Sequence, residues 1–131
     1  MSRKILVVED EKDTIALFED VLILAGYDVQ SVMDVKSAIK SIEKSNPDLI
    51  LLDIFLPDET GVEFINHLYK SGLSKNIPII VITAYSSFDM FYDYSKLPGV
   101  KRCLFKPCRP RVMLKSIKEV LKNDERKSEC N

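Results

Sequence analysis

Five short apolar runs, each followed by a helical pattern, predict one α/β domain built on a parallel sheet. Three observations carry that expectation. The runs Ile5–Val8, Leu49–Leu52 and Ile79–Ile82 are unbroken by polar residues and too short for helices, which suits strands buried on both faces. Between them, apolar residues recur at helical spacing. The connecting loops are short, and 131 residues is an ordinary size for one domain with one proper core. Such alternation requires right-handed crossovers. Among the few topologies left, we expect a flavodoxin-like doubly wound (βα)5 fold, a five-stranded parallel sheet of strand order 2-1-3-4-5.

Each element has its own justification. Lys4 to Val8 forms the first strand and runs into three acids, Glu9, Asp10 and Glu11. A helix follows from about Asp13 to Ala25, with Ile15, Phe18, Val21, Leu22 and Ala25 as its stripe and Gly26 as its stop. Tyr27 to Val32 alternates weakly, as a strand near an edge does. Asp34 is placed to cap a second helix whose stripe is Val35, Ala38, Ile39 and Ile42, closed by Asn46-Pro47. The central strand, Leu49 to Leu52, ends in Asp53, and the turn formers Pro57 and Gly61 follow.

Thr60 or Gly61 opens a third helix with Phe64, Ile65 and Leu68 inward, ending near Ser71-Gly72. Pro78 confines the fourth strand to a start near Ile79, and it ends in Thr83-Ala84. A fourth helix is expected over roughly Ser87 to Lys96, rich in aromatics and broken by Pro98-Gly99. Its apolar residues form two files: Phe88, Phe91, Tyr92 and Ser95 in one, Met90, Tyr94 and Leu97 in the other. One file suits the core; the other is either surplus surface or a partner-binding patch. Arg102 to Phe105 is the fifth strand, ending in Lys106-Pro107. Pro110 suits the first turn of a last helix that buries Met113, Leu114, Ile117, Val120 and Leu121. The domain is expected to span residues 3–122, with 123–131 a polar tail that frays from Lys122 onward.

Composition excludes several function classes. Hydrophobic residues make up 46% and charged residues 30%, with a net charge of −1, which favours neither nucleic acid nor an anionic membrane surface. No apolar run approaches a membrane span, and the start shows no signal-peptide pattern. Three cysteines without Cys-x-x-Cys spacing argue against a disulfide framework or a zinc site. The expectation is a cytoplasmic chain with reduced thiols. His67 reads as an exposed polar residue. Arg109, Arg111, Lys115 and Lys118, with Lys101 and Arg102, read as a solvated face or as a site for an acidic partner.

The ends of the strands carry the chemistry. Strand one delivers Glu9 and Asp10, strand three Asp53, strand four Thr83 and strand five Lys106. In the expected order all open onto one edge of the sheet, where ligand sites of such folds form. Three carboxylates together repel unless a cation sits among them or a proton is held. Mg²⁺, which takes oxygen ligands and one or two carboxylates, is the natural solution. An amine and a hydroxyl beside it are what a phosphoryl group needs, with a carboxylate able to attack phosphorus.

Ile5-Leu-Val-Val-Glu-Asp-Glu11, Leu52-Asp53-Ile-Phe-Leu-Pro57-Asp-Glu-Thr-Gly61, Thr83-Ala84 and Lys106-Pro107 together resemble the receiver domain of two-component response regulators. The resemblance implies that Asp53 is a phosphoacceptor, taking its phosphoryl group from a phosphohistidine on a sensor histidine kinase or phosphotransfer protein, or from a small acyl phosphate. It implies that Glu9, Asp10, Asp53 and the backbone carbonyl of Phe55 hold Mg²⁺. Lys106, before a cis proline bond, would bond one phosphoryl oxygen and Thr83 another. Movement of Thr83 would then shift the face formed by helix four, strand five and helix five toward a downstream target or effector domain. The domain would be a phosphoacceptor signalling module rather than an enzyme, with no nucleic-acid or membrane partner of its own and with dimerisation on phosphorylation left open.

Three features depart from the family pattern. Cys103 stands where family members carry Tyr or Phe, so the aromatics of helix four are an alternative route for the output. The segment from Thr83 to Lys106 is one residue longer than usual. Phe55 and Tyr85 fill two variable positions beside the site, and their bulk implies a slowly hydrolysed phosphoryl form. A phosphorylation-silent docking module on the same fold is the alternative function. A phosphatase of the haloacid dehalogenase type needs a second Asp where Phe55 stands, and a nucleotide or flavin site needs a phosphate cradle where Glu-Asp-Glu stands.

Overall fold

In the computed structural model, which describes residues 2–73, 76–84 and 93–130, the last seven as backbone, the apolar runs form a single parallel sheet. Its strands are β1 (Lys4–Val8), β2 (Asp28–Val32), β3 (Leu49–Leu52), β4 (Ile79–Ala84) and β5 (Val100–Lys106). Their spatial order is β2-β1-β3-β4-β5, as the alternation predicts. Four helices accompany them among the described residues: α1 (Lys12–Leu24), α2 (Val35–Lys44), α3 (Gly61–Ser71) and α4 (Pro110–Cys130).

Side-chain alternation along the strands divides the core in two. Leu6, Val8, Ile50, Leu52, Ile79 and Val81 face α2 and α3, where Val35, Ala38, Ile42, Phe64, Ile65 and Leu68 complete one cluster. Ile5, Val7, Leu49, Leu51, Ile80 and Ile82 face the other way, onto Phe18 and Leu22 of α1 and Met113, Ile117, Val120 and Leu121 of α4. All four residues of β3 are buried, two in each half. At about 1.5–3 kcal/mol for each buried branched side chain, β3 is held firmly on both faces, as are its neighbours β1 and β4.

The helix starts follow their sequence signals. The Asp34 carboxylate accepts from the Ser37 amide at 2.7 Å and caps α2. Thr60 Oγ1 accepts from Glu63 N at 3.2 Å and caps α3, while the same hydroxyl donates to the Glu63 carboxylate at 3.2 Å. Gly72 ends α3 in the left-handed region at φ 79°. Only Phe18 and Leu22 of α1 are fully buried, while Leu17, Ile23 and Leu24 face solvent.

Three expectations differ from the structure. The last helix extends past Lys122 to Cys130, through residues that contain neither Gly nor Pro. Residues 93–96 do not continue a helix. Asp93 accepts from Ser95 N at 3.0 Å and starts a separate 3₁₀ turn, Tyr94–Lys96, which buries Tyr94. The rest of the expected fourth helix, with Phe88, Met90, Phe91 and Tyr92, lies outside the described residues, as does Tyr85. Strand β5 begins at Val100, two residues earlier than expected, because Val100 pairs with Ile79 across an irregularity in the ladder. Among the described residues, no helix is long and apolar enough to cross a membrane.

Candidate functional site

The carboxyl edge of the sheet gathers the residues that the strand ends promised. The β1 ladder continues one step past the strand on each side: Glu9 N donates to Val32 O at 3.0 Å, and Asp53 N donates to Val8 O at 3.0 Å. Backbone pairing thus sets Glu9 and Asp53 side by side. One oxygen from each of Glu9, Asp10 and Asp53 lies within 4.8 Å of the others. Glu9 is 2% exposed and Asp53 6%, whereas Asp10 is open to solvent.

Asp53 is fully engaged by its neighbours. Oδ1 accepts from the Thr83 hydroxyl at 3.0 Å and from the Phe55 amide at 3.2 Å. Oδ2 accepts from Lys106 Nζ at 3.1 Å. Lys106 also pairs with Glu9 Oε1, and Glu9 Oε2 accepts from Glu11 N at 3.1 Å. Thr83, wholly buried at the end of β4, and Lys106, at the end of β5, therefore reach the same carboxylate from adjacent strands. The Lys106–Pro107 bond is cis.

Charge inside this hollow is unbalanced, with one ammonium against three carboxylates. Burial, helped by the nearby Asp53 charge, pushes the Glu9 carboxyl above its ordinary value, against the opposing pull of Lys106 and the Glu11 amide. Lys106 loses hydration too, yet its bonds to Glu9 and Asp53 outweigh that loss and raise it, so the amine stays protonated. A divalent cation would relieve the remaining excess. Three hard oxygen donors, one of them solvent-facing, are the donor set that Mg²⁺ takes while keeping several waters. The residues fit such an ion.

The loop from Asp53 to Gly61 is unusually tight. Gly61 N donates to Ile54 O at 2.6 Å, and Phe55 pairs with Thr60 across the loop in an isolated antiparallel bridge. A Cβ on Gly61 would lie 2.9 Å from Ile54 Cα and 3.0 Å from the Asp53 carbonyl oxygen. Glycine is required there for close approach, not for an unusual dihedral. The Phe55 ring is half exposed at the mouth of the site. Cys103, at the position of the family aromatic, is half-buried against the cluster that holds Tyr94 and Val100. His67 is exposed. Arg102 of the basic surface pairs with Glu119 at 3.5 Å.

Sequence reasoning missed one residue of this loop. Asp58, read only as part of a turn, accepts from the Val35 and Lys36 amides at the start of α2 at 3.0 and 3.1 Å. Those amides, first among its causes Val35 N, hold the Asp58 carboxyl below the usual carboxylate range.

Comparison with known proteins agrees with this geometry. Residues 5–118 match the response regulator receiver domain. The alkaline phosphatase synthesis transcriptional regulatory protein PhoP of Bacillus subtilis is 33% identical over 129 residues, which are 95% of this chain and 51% of that protein. The phosphate regulon transcriptional regulatory protein PhoB of Escherichia coli is 32% identical over 126 residues, 93% of this chain and 53% of PhoB. The chain thus spans about half the length of these curated relatives. Among solved structures, a CheY-like receiver domain from Methanospirillum hungatei superposes with a TM-score of 0.87 at 29% identity, covering 97% of this chain and 99% of that one.

Proposed function

The chain belongs to the response regulator receiver family, and from that premise we propose that it is a phosphoacceptor switch whose acceptor is Asp53. The observation that carries the reading is the convergence of Thr83 Oγ1 and Lys106 Nζ on the two oxygens of the Asp53 carboxylate, beside Glu9 and Asp10. A buried carboxylate held by one hydroxyl and one ammonium is aimed. An Asp53 oxygen attacks phosphorus of a phosphohistidine, or of a small acyl phosphate. The new O–P bond forms as the old N–P or O–P bond breaks, and its electron pair leaves with the imidazole or carboxylate.

Mg²⁺, held by Glu9, Asp10, Asp53 and the Phe55 carbonyl, would neutralise charge shared between the carboxylates and the phosphoryl oxygens. Lys106 and Thr83 already sit where those oxygens must arrive. On transfer they exchange Asp53 for the phosphoryl group, Lys106 supplying positive charge and Thr83 a hydroxyl donor. Their shift moves the ends of β4 and β5, and so the face that β5 shares with α4 and the segment before β5, toward a partner-binding arrangement. A sensor histidine kinase or phosphotransfer protein is the phosphoryl donor, and the output goes to a downstream protein or effector domain. The domain assists this chemistry without being an enzyme in the usual sense, and it works in the cytoplasm. A phosphorylation-silent docking module is disfavoured because the acceptor, the acids, the hydroxyl and the amine are all in place.

Intact mass after incubation with acetyl phosphate and Mg²⁺ tests the chemistry. The native chain gains one phosphoryl mass and Asp53→Ala gains none. Equal labelling of both chains would remove Asp53 from its role.

A further inference from the structure

Asp58 binds two elements that the sequence keeps apart. Oδ1 accepts from Val35 N at 3.0 Å and from Glu59 N at 3.1 Å, while Oδ2 accepts from Lys36 N at 3.1 Å. The remaining first-turn amide of α2, Ser37 N, goes to Asp34 at 2.7 Å. Two aspartates therefore divide one helix start, one local and one from the loop that follows β3. Asp58 and Lys36 are exposed, so water could replace Asp58 at modest cost to the helix itself. What water could not do is hold the loop.

That loop carries the site. Its root supplies the Phe55 amide to Asp53 Oδ1, and its return is pinned by Gly61 N on Ile54 O. Its tip, between Pro57 and Glu59, has Asp58 as its anchor to the helix layer. The anchor point is firm, because Val35 is buried in the core and the strand before it, β2, accepts Glu9 N through Val32 O. The tie thus joins the loop bearing Asp53 and Phe55 to the strand-helix unit that supports Glu9.

We propose that Asp58 is a positioning residue for the cation site, fixing the β3–α3 loop against α2 so that Asp53 and the Phe55 backbone meet Glu9 and Asp10 in one geometry. This rests on the reading of the hollow as a Mg²⁺ site. It touches neither cation nor phosphoryl group and acts only through the loop.

The test is a titration of the full ¹⁵N-labelled chain with MgCl₂ alone, followed by amide shifts, with thermal melts in metal-free buffer alongside. Asp58→Ala weakens Mg²⁺ binding by about 3- to 10-fold, at or below the effect of removing a direct outer-shell partner. Asp34→Ala removes the other cap of the same helix, lowers the melting temperature comparably and leaves Mg²⁺ affinity at the native value. Asp58→Asn keeps one acceptor oxygen for the α2 amides and loses the other, and falls between native and Asp58→Ala. Equal loss in Asp34→Ala would assign the effect to helix stability and overturn the proposal. Native affinity in Asp58→Ala sinks this inference and leaves the Mg²⁺ site intact, whereas a native chain that binds no Mg²⁺ brings down both.

Discussion

On the β1–β3 flank of the hollow, the groups are set by main-chain bonds: Glu9 N on Val32 O, Asp53 N on Val8 O, Gly61 N on Ile54 O. On the β4–β5 flank they are set by side chains, the Thr83 hydroxyl and the Lys106 amine reaching across to Asp53. The first set does not depend on what charge occupies the hollow. The second rests on side chains whose backbones are paired in the β4–β5 ladder, so only their terminal bonds answer to that charge. A main-chain bond between packed strands cannot be redirected without moving the sheet, whereas an ammonium follows the most negative oxygen it can reach. The acidic flank therefore behaves as a fixed socket and the opposite flank as the responsive part.

Substitutions on the two flanks should differ in kind, and the largest effect belongs to the responsive side. Lys106→Met leaves Glu9 and Asp53 buried without their shared cation, and should cost about 2 kcal/mol of stability in metal-free buffer. Because the loss is one of charge, MgCl₂ should recover most of it. Thermal melts with and without Mg²⁺ measure both, and a loss that Mg²⁺ leaves untouched would erase the distinction between the flanks.

Gly61→Ala probes the fixed side. The added methyl meets Ile54 Cα and the Asp53 carbonyl, so the loop must shift, at about 1–3 kcal/mol. Here Mg²⁺ should restore little, and acetyl phosphate labelling of Asp53 should slow. Recovery by Mg²⁺ to the same extent as in Lys106→Met would show the socket to be less rigid than its bonds imply.

A smaller change of opposite sign comes from Glu9→Gln. Burial raises the Glu9 carboxyl in the folded chain, so its contribution to stability is fully present below the unfolded value near 4.5 and is lost as pH rises through the folded one. A glutamine cannot ionise and can still accept from Lys106. In metal-free buffer the variant should gain on the native chain as pH climbs from about 4 toward neutrality, while Mg²⁺ affinity drops. Urea melts across that range decide it: a gain largest at low pH contradicts the assignment.

The least effect concerns the rim. Phe55→Asn opens the mouth of the site to water and should shorten the lifetime of the acyl phosphate by about fivefold, a barrier change of ~1 kcal/mol. Decay after donor removal, followed by intact mass, reads it directly. An unchanged lifetime would mean that the ring does not screen phosphorus.

What the sequence discloses, and what it withholds, divides along the same physical line. Glu9, Asp10, Asp53, Thr83 and Lys106 are legible because each ends an apolar run, and strand order then brings those ends together. Which half of the core each strand residue joins is not, because the runs are apolar throughout and show no alternation of polarity. Asp58 is not, because its partners at Val35 and Lys36 become neighbours only when the α2 and α3 layer is assembled. Gly61 carries a turn signal, yet its actual constraint is the nearness of the Asp53 carbonyl, which no local pattern encodes. The continuation of α4 to Cys130 escapes a reading that equates polarity with fraying, although residues 122–130 hold no helix breaker. Tyr94 fits the spacing of a longer helix, and only the cap by Asp93 marks the separate turn it belongs to.

The burial of β3 has one more consequence. Leu49 and Leu51 are wedged among the side chains of α1 and α4, while Ile50 and Leu52 are wedged among those of α2 and α3. A strand gripped on both faces gives no travel to whatever happens at its tip. An event at Asp53 has little room to run back down its own backbone and meets first the side chains of Thr83 in β4, the next strand, and of Lys106 in β5, one strand further on.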